Sequence, residues 1–143
     1  MILAWHGFEL SAPAGWEVED VGPGALGLRA RATGTLVLMF PPRPGAGSAR
    51  EIFARWVLDS RGRALSADEQ AEELPDTPLR VLALGAAIEQ GGTPQARFYL
   101  LGQDALWLPL LGASPCSLDA SRIELGALLK GLRPISAVDP WAT

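Results

Sequence analysis

Apolar and polar residues alternate along several short runs of this chain, a spacing that predicts β-strands. Two of the runs, 35–40 and 106–111, are apolar on both faces of the pleat. A strand that is apolar on both faces is covered on both faces. We therefore expect these two strands to form the centre of a sheet with helices above and below. The stretch 93–111 predicts two adjacent strands joined by the turn Gly102-Gln103-Asp104.

The first forty residues predict four strands in two hairpins. The runs 8–11 and 16–19 alternate on either side of the turn Pro13-Ala14-Gly15, which favours pairing between them. A cleaner alternation over 26–33 leads through Gly34 into the first of the two central strands.

A helix is predicted to begin at Ser48, because Ser48 and Glu51 have the spacing of a capping box. It should run to about Ser60 or Arg61, and its apolar residues fall on one stripe that consists of Ile52, Phe53, Trp56 and Val57. A second possible cap at Ser66 opens an acidic stretch through Glu73, which we interpret as a short exposed helix or a loop.

A last helix is predicted over 118–130, with an inward stripe formed by Leu118, Leu125, Leu128, Leu129 and Leu132. Gly131 followed by Leu132 predicts a left-handed helix stop, and Pro134 prevents continuation. Between the two helices, 79–90 returns to a strand pattern whose two faces differ. One carries Leu82, Leu84 and Ile88, and the other carries the small residues Ala83, Gly85 and Ala87.

Gly91-Gly92 is a strong hairpin signal, and it makes 79–111 a three-stranded meander. Pro109 indicates that the last of these strands lies at an edge or bends where it stops pairing. The order of elements predicts an α+β fold: an antiparallel sheet of about six or seven strands with helices packed on both faces, an α/β/α sandwich. We expect one domain over 1–143, with a core over about 8–134 and a flexible tail over 135–143.

The composition fits a soluble cytoplasmic protein. The chain has 143 residues, of which 48% are hydrophobic, a net charge of -4 and a pI near 4.9, which argues against nucleic-acid binding. Cys116 is the only cysteine, so no internal disulfide forms. The N-terminus lacks the basic region of a secretion signal, and no apolar run has membrane-spanning length.

Two glycine-rich stretches are candidate phosphate sites. Residues 22–27 match GxGxxG, but a strand pattern follows and no acid lies between Val21 and Arg50, so we interpret them as a hairpin turn. Residues 45–48 precede a helix, with Arg43 and Arg50 beside them, and could hold an anion against the positive helix end. The alternative is a flexible loop with an ordinary cap.

The remaining chemistry is sparse. His6 is the only histidine, so no multi-histidine metal site can be built in one chain. A Cys116 nucleophile with His6 as base competes with the simpler reading of Cys116 as a small buried residue. Glu17 and Glu19, with Glu9 nearby, form either a cation site or a solvated face, which we favour. We expect no catalytic residue, cofactor or metal.

One surface is a candidate for binding a partner. Arg29 and Arg31 point outward from one strand, and arginine forks suit carboxylates. Trp107 is a candidate aromatic anchor, although two-sided burial favours its being covered by a helix. Arg29, Arg31 and Trp107 are therefore the candidate partner surface.

The order of these features resembles a known superfamily. The run 8–10 followed by Pro13-Ala14-Gly15-Trp16, then the strand 35–38, the helix at Ser48, the meander 82–111 and the final segment 128–134 resemble the Mog/PsbP-like α/β/α sandwich. That superfamily includes photosystem II extrinsic proteins, a Ran-binding nuclear import factor and many small bacterial proteins. The resemblance implies a binding or assembly protein without catalytic activity, and it carries over no binding residue.

Three functional hypotheses follow. The first is a non-catalytic protein-binding or accessory module of a bacterial-type cytoplasmic protein, such as a secretion chaperone or an immunity protein. The second is a carrier of a small apolar ligand between sheet and helices, and the third is a metal-independent hydrolase. We expect the partner to be another protein, neither nucleic acid nor membrane, and the chain to be a monomer or homodimer.

Overall fold

The computed structural model describes residues 1–45, 47–74, 77–84, 88–91, 93–103, 106–114 and 118–135. Several predicted features lie outside the described residues: Gly85, Ala87, Gly92, Asp104, Cys116, the side chain of Leu118, and the tail beyond Ile135 with Trp141. The strands are β1 (Ile2–Trp5), β2 (Phe8–Ser11), β3 (Trp16–Glu19), β4 (Leu26–Ala30), β5 (Leu36–Met39), β6 (Arg43–Pro44), β7 (Glu72–Leu74), β8 (Arg80–Ala83), β9 (Ile88–Gln90), β10 (Thr93–Gln103), β11 (Leu106–Ala113) and β12 (Leu132–Pro134). The helices are α1 (Ala49–Arg61) and α2 (Leu118–Lys130).

Most strands belong to one sheet with the order β3-β4-β5-β11-β10-β8-β7, and the short strands β6 and β9 pair with β11 and β10. Every strand pair in the described ranges is antiparallel. The α+β class and the large antiparallel sheet are therefore confirmed. The hairpins β3–β4, β4–β5 and β9–β10 lie where the sequence predicts them. The β10–β11 hairpin also forms, but its turn was predicted too early: Gly102 and Gln103 are the last residues of β10, paired with Trp107 and Leu106.

The pairing predicted for β2 is wrong. Instead of joining β3, β2 lies between β1 and β12 in a separate three-stranded sheet. His6 and Gly7 join β1 to β2 with φ angles of 45° and 85°, and two consecutive left-handed residues are what a tight hairpin requires. The turn at Gly15 instead carries the chain from one sheet to the other, and Arg31 donates its backbone N–H to the Gly15 carbonyl.

The end of α2 also differs from the prediction. Gly62 after α1 is left-handed, with φ 72°, but Gly131 after α2 is not among the residues with positive φ. A side chain at Gly131 would collide with the backbone carbonyl oxygen of Ser11. Glycine is required there by the close approach of β2, and the chain continues directly into β12.

The side chains of β10 divide between two hydrophobic clusters. Phe98 and Leu100 pack with the α1 stripe, and Tyr99 and Leu101 pack in the cluster that contains the apolar residues of α2. Neighbouring residues of a strand point to opposite faces. The predicted stripes are confirmed for Phe53, Trp56 and Val57 in α1 and for Leu125, Leu128 and Leu129 in α2, all of which are buried.

Strand β11 is not an edge strand, so that part of the prediction for Pro109 is wrong. Pro109 lies where the neighbour of β11 changes from β5 to β6. Its carbonyl accepts the N–H of Phe40, at 3.0 Å. The carbonyl and nitrogen of one strand residue point the same way, so the missing donor of proline faces the gap between two partner strands.

The acidic stretch after α1 is a loop over 66–71, one of the two predicted alternatives, and its last residues, Glu72 and Glu73, begin β7. The Glu69 carboxylate accepts two hydrogen bonds from the Arg61 guanidinium, at 2.6 and 2.7 Å, and one from the Ser66 N–H, at 3.0 Å. The side chains of Arg61 and Glu69 are only 6% and 15% exposed. The hydrogen bonds from Arg61 are the main cause that lowers the pKa of Glu69 to about 2. This pair fixes the connection between α1 and β7.

Candidate anion-binding cleft

One row of residues crosses the main sheet beneath the start of α1. Arg43 is the register partner of Trp107, Trp107 that of Gly102, and Gly102 that of Arg80. Directly opposed residues share a sheet face, and Trp107 packs in the cluster that contains α1. The row therefore lies on the α1 face with an arginine at either end.

Gly102 leaves room for the ring of Trp107 to lie flat against the sheet, where it forms the floor of a cleft. A Cβ atom at Gly102 would overlap the six-membered ring of Trp107, so the indole lies across the backbone of β10. Its other edge approaches Gly45, where an added Cβ would meet Cδ1 of Trp107 at 3.2 Å. The ring therefore extends from Gly102 to the loop before α1 and is 6% exposed.

Gly102→Ala is expected to lower the free energy of unfolding by about 1–2 kcal/mol, because the methyl group overpacks the ring. Chemical denaturation measures the change. In a Trp107→Leu background the same substitution should cost much less, since the ring atoms that collide are gone. An equal cost in both backgrounds would contradict the contact.

The start of α1 forms the wall above this floor. Ser48 is the N-cap, and its hydroxyl accepts the Glu51 N–H at 3.2 Å, which confirms the hydroxyl half of the predicted capping box. The amides of Ala49 and Arg50 donate to no acceptor in the described part of the chain. Free first-turn amides and the helix dipole attract negative charge.

Wall and floor enclose a surface cleft of about 460 Å³, lined by Gly47, Ser48, Ala49, Arg50, Arg80, Gly102 and Trp107. Among the described residues that line it, the two charged side chains are both arginines. Arg50 donates to the Ala71 carbonyl at 2.9 Å, and Arg80 pairs with Glu73 at 2.8 Å. The cleft thus presents positive charge and backbone donors on an acidic protein.

The indole nitrogens of Trp107, which lines the cleft, and of Trp56 are two buried donors. Neither Nε1 has an acceptor among the described residues. Buried indole N–H groups normally find a partner. Trp56 lies under Arg43, whose guanidinium carbon is 5.8 Å from the ring centroid.

A neighbouring cavity of about 380 Å³ lies on the other side of the glycine loop, lined by Arg43, Pro44, Gly45, Glu51, Ile52, Arg55 and Asp59. Asp59 lies 3.4 Å from Arg43 and 3.4 Å from Arg55. The sequence places Arg43 and Arg50 together beside 45–48, but the structure divides them between two cavities. Arg80 takes the place predicted for Arg43.

Two of the residues predicted as a partner surface are engaged within the protein. Arg29 donates from Nε and Nη2 to both carboxylate oxygens of Glu19, at 2.9 and 2.8 Å, and from Nη1 to the Gly34 carbonyl. The hydrogen bonds between the two side chains are the main cause that lowers the pKa of Glu19 and raises the pKa of Arg29. Arg31 pairs with Glu17 at 2.7 Å. The carboxylates of Glu17 and Glu19 are therefore paired with Arg31, which follows β4, and with Arg29 within it.

Trp107 does not lie on that surface. It is buried in the cluster with α1, as two-sided burial of β11 predicts. Its location joins it to the cleft and separates it from Arg29 and Arg31. Sequence analysis missed Arg80 and Gly102, because only the strand register brings them to the cleft.

The other sites predicted from the sequence are not assembled among the described residues. Residues 22–24 turn into β4, so no helix follows the GxGxxG match. His6 lies in the β1–β2 turn with its ring against Trp5. Within the described ranges, no three His, Cys, Asp or Glu side chains are grouped to hold a metal ion. Among the described helices, none combines the length and apolar character needed to cross a membrane.

Comparison with known proteins identifies the fold of this chain. No family model matches the chain. No curated protein matches its sequence. A crystal structure from Bacteroides thetaiotaomicron VPI-5482 is similar with a TM-score of 0.59 and 12% identity, over 90% of this chain but only 45% of that one. The solution structure of cyanobacterial PsbP (CyanoP) from Synechocystis sp. PCC 6803 is similar with a TM-score of 0.52 and 13% identity, over 90% of this chain and 87% of that one. The chain therefore has a PsbP-like fold, as its sequence predicts.

Proposed function

We propose that this chain is a non-catalytic, cytoplasmic protein-binding module, built as a PsbP-like α/β/α sandwich, that holds an acidic segment of a partner protein in the cleft at the start of α1. The observation that carries the proposal is the lining of that cleft by Arg50, Arg80 and the free first-turn amides. All of these groups donate hydrogen bonds to an anion, and both arginines are permanently charged.

The size and charge of the cleft favour a short peptide over a polyanion. A volume of about 460 Å³ lies within the range of ligand sites and exceeds what one small ion fills. The protein as a whole carries a charge of -4, which repels a long nucleic-acid backbone. A few acidic side chains would meet the two arginines of the cleft, one of which is already paired with Glu73.

The same lining favours binding over catalysis. Arginine stays protonated and cannot serve as a general base at neutral pH. The Ser48 hydroxyl is already used to cap α1. These groups recognise a carboxylate without transforming it.

Arg50→Gln and Arg80→Gln are each expected to weaken binding of a fluorescein-labelled octapeptide with four glutamates by about tenfold, the loss of one charge-assisted contact. Fluorescence anisotropy at low salt measures the dissociation constants. Arg31→Gln is the matched control, because Arg31 is 68% exposed on a different part of the sheet.

The control should bind within about twofold of the natural chain. Equal weakening by Arg31→Gln would show nonspecific charge attraction. Tighter binding of a lysine octapeptide, or of an apolar fluorophore, would contradict the proposal and favour another ligand class.

A further inference from the structure

The two arginines of the cleft are held by a single short segment of the chain, residues 71–73. The Ala71 carbonyl accepts from Nη1 of Arg50 at 2.9 Å, and Oε1 of Glu73 lies 2.8 Å from Nε of Arg80. A main-chain carbonyl and a carboxylate two residues later thus occupy both cationic groups. This segment has the chemistry of the acidic peptide that the cleft is proposed to bind.

The strand register explains how Glu73 reaches Arg80. Glu73 is opposite Leu82 in the β7–β8 pair, and Arg80 is two residues before Leu82. Residues two apart on a strand share a face, so Glu73 and Arg80 are diagonal neighbours across the pair. Because Leu82 packs against the α1 cluster, both side chains lie on the face that carries the cleft.

The ion pair between Arg80 and Glu73 is one that a competing carboxylate can replace. The side chains of Arg80 and Glu73 are 47% and 49% exposed, and ion pairs of that exposure add little to stability. The nearby pair Arg61–Glu69 is the opposite case, since it is buried and bidentate. A partner carboxylate can therefore replace Glu73 at Arg80 without loosening the segment that Glu69 anchors.

We infer that residues 71–73 mimic the partner in the free protein, in which Glu73 is paired with Arg80. The partner displaces Glu73 with an acidic side chain of its own. That side chain lies two residues after a main-chain carbonyl of the partner, which accepts a hydrogen bond from Arg50. This inference rests on the proposed function of the cleft. It adds that the free protein is partly self-inhibited and that the partner's acidic residue has a fixed spacing.

The test is Glu73→Gln, which removes the competing charge and keeps the side-chain size. It should tighten binding of the same labelled octapeptide by about fivefold, because Arg80 no longer has to leave an ion pair. Glu17→Gln is the matched control, since it removes one charge and one exposed pair, that with Arg31. In an Arg80→Gln background, Glu73→Gln should give no gain.

Equal tightening by Glu17→Gln, or a gain that survives in the Arg80→Gln background, would overturn the inference and leave the cleft as a binding site. Peptide binding that Arg50→Gln and Arg80→Gln fail to weaken, or the absence of binding to any variant, would overturn the proposed function together with this inference. The two failures are thereby distinguishable.

Discussion

Glu69→Gln is expected to lower the free energy of unfolding by about 3 kcal/mol at pH 7, because it removes the carboxylate that two nitrogens of the buried Arg61 guanidinium contact. Arg61 is 6% exposed and donates to both oxygens of Glu69. It also donates to the carbonyls of Arg63 and Ala64, so turning to water would also break its hydrogen bonds to the loop after α1. Urea denaturation of the two proteins measures the difference.

The same difference should depend on pH in a defined window. The pKa of Glu69 falls from 4.5 to about 2 on folding, so its stabilising contribution is fully present above pH 4.5 and is lost as the pH falls towards 2. Glutamine does not titrate. The stabilities of the natural chain and the variant should therefore converge between pH 4.5 and 2.

Glu17→Gln provides the reference for this experiment, because its pair with Arg31 is mostly exposed and should contribute less than about 1 kcal/mol. A Glu69→Gln difference that stays constant down to pH 3 would show that the charge of Glu69 is not what stabilises the connection.

Gly131→Ala is expected to lower the free energy of unfolding by about 3 kcal/mol, at the upper end for an overpacked site. The added methyl group would meet the carbonyl oxygen of Ser11, which belongs to the backbone of β2. That backbone cannot move aside cheaply, since Ser11 donates its N–H to the Gly131 carbonyl at 2.9 Å and is paired with Ile2. The end of α2 or the small sheet must shift.

Gly126→Ala, within the helix α2 that Gly131 follows, is the matched control. No atom lies within 4 Å of a Cβ at Gly126, and alanine is the better helix former by about 1 kcal/mol. Gly126→Ala should therefore stabilise the protein while Gly131→Ala destabilises it, as measured by thermal and urea unfolding. Substitutions of equal sign at the two glycines would contradict the close approach of β2 to Gly131.

The parts of the fold that are determined by residues close together in the sequence were predictable. The stripe of α1 and its Ser48 cap are local patterns, and so is the Gly91 turn of the β9–β10 hairpin. The partner of β2 was not predictable, because alternation says which residues of a strand face the core and not which strand lies beside it. The same limit hid β12, whose three residues carry too short a pattern to indicate a strand.

The residues of the candidate cleft also divide into those that a local sequence pattern indicates and those that only strand pairing brings together. A glycine-rich turn before a helix is a local signal, so the loop 45–48 with Arg43 and Arg50 could be named from the sequence as either an anion site or a flexible loop with an ordinary cap. Arg80, Gly102 and Trp107 join it only through the pairing of β8, β10 and β11. Gly102 in particular was predicted as part of a turn, but it lies within β10, where its role is to leave room for a ring on another strand.

The small sheet also has a consequence for the order in which this protein folds. β2 begins at Phe8, and its neighbour β12 begins at Leu132, so their pairing joins residues that are separated by almost the whole described chain. Contacts of such long sequence separation form slowly. During synthesis, the buried side chains Phe8 and Leu10 remain without one of their neighbouring strands until the last helix has been made. The first hairpin of the chain is therefore among the last parts to be completed, and its apolar face is the surface that a nascent chain has to protect longest.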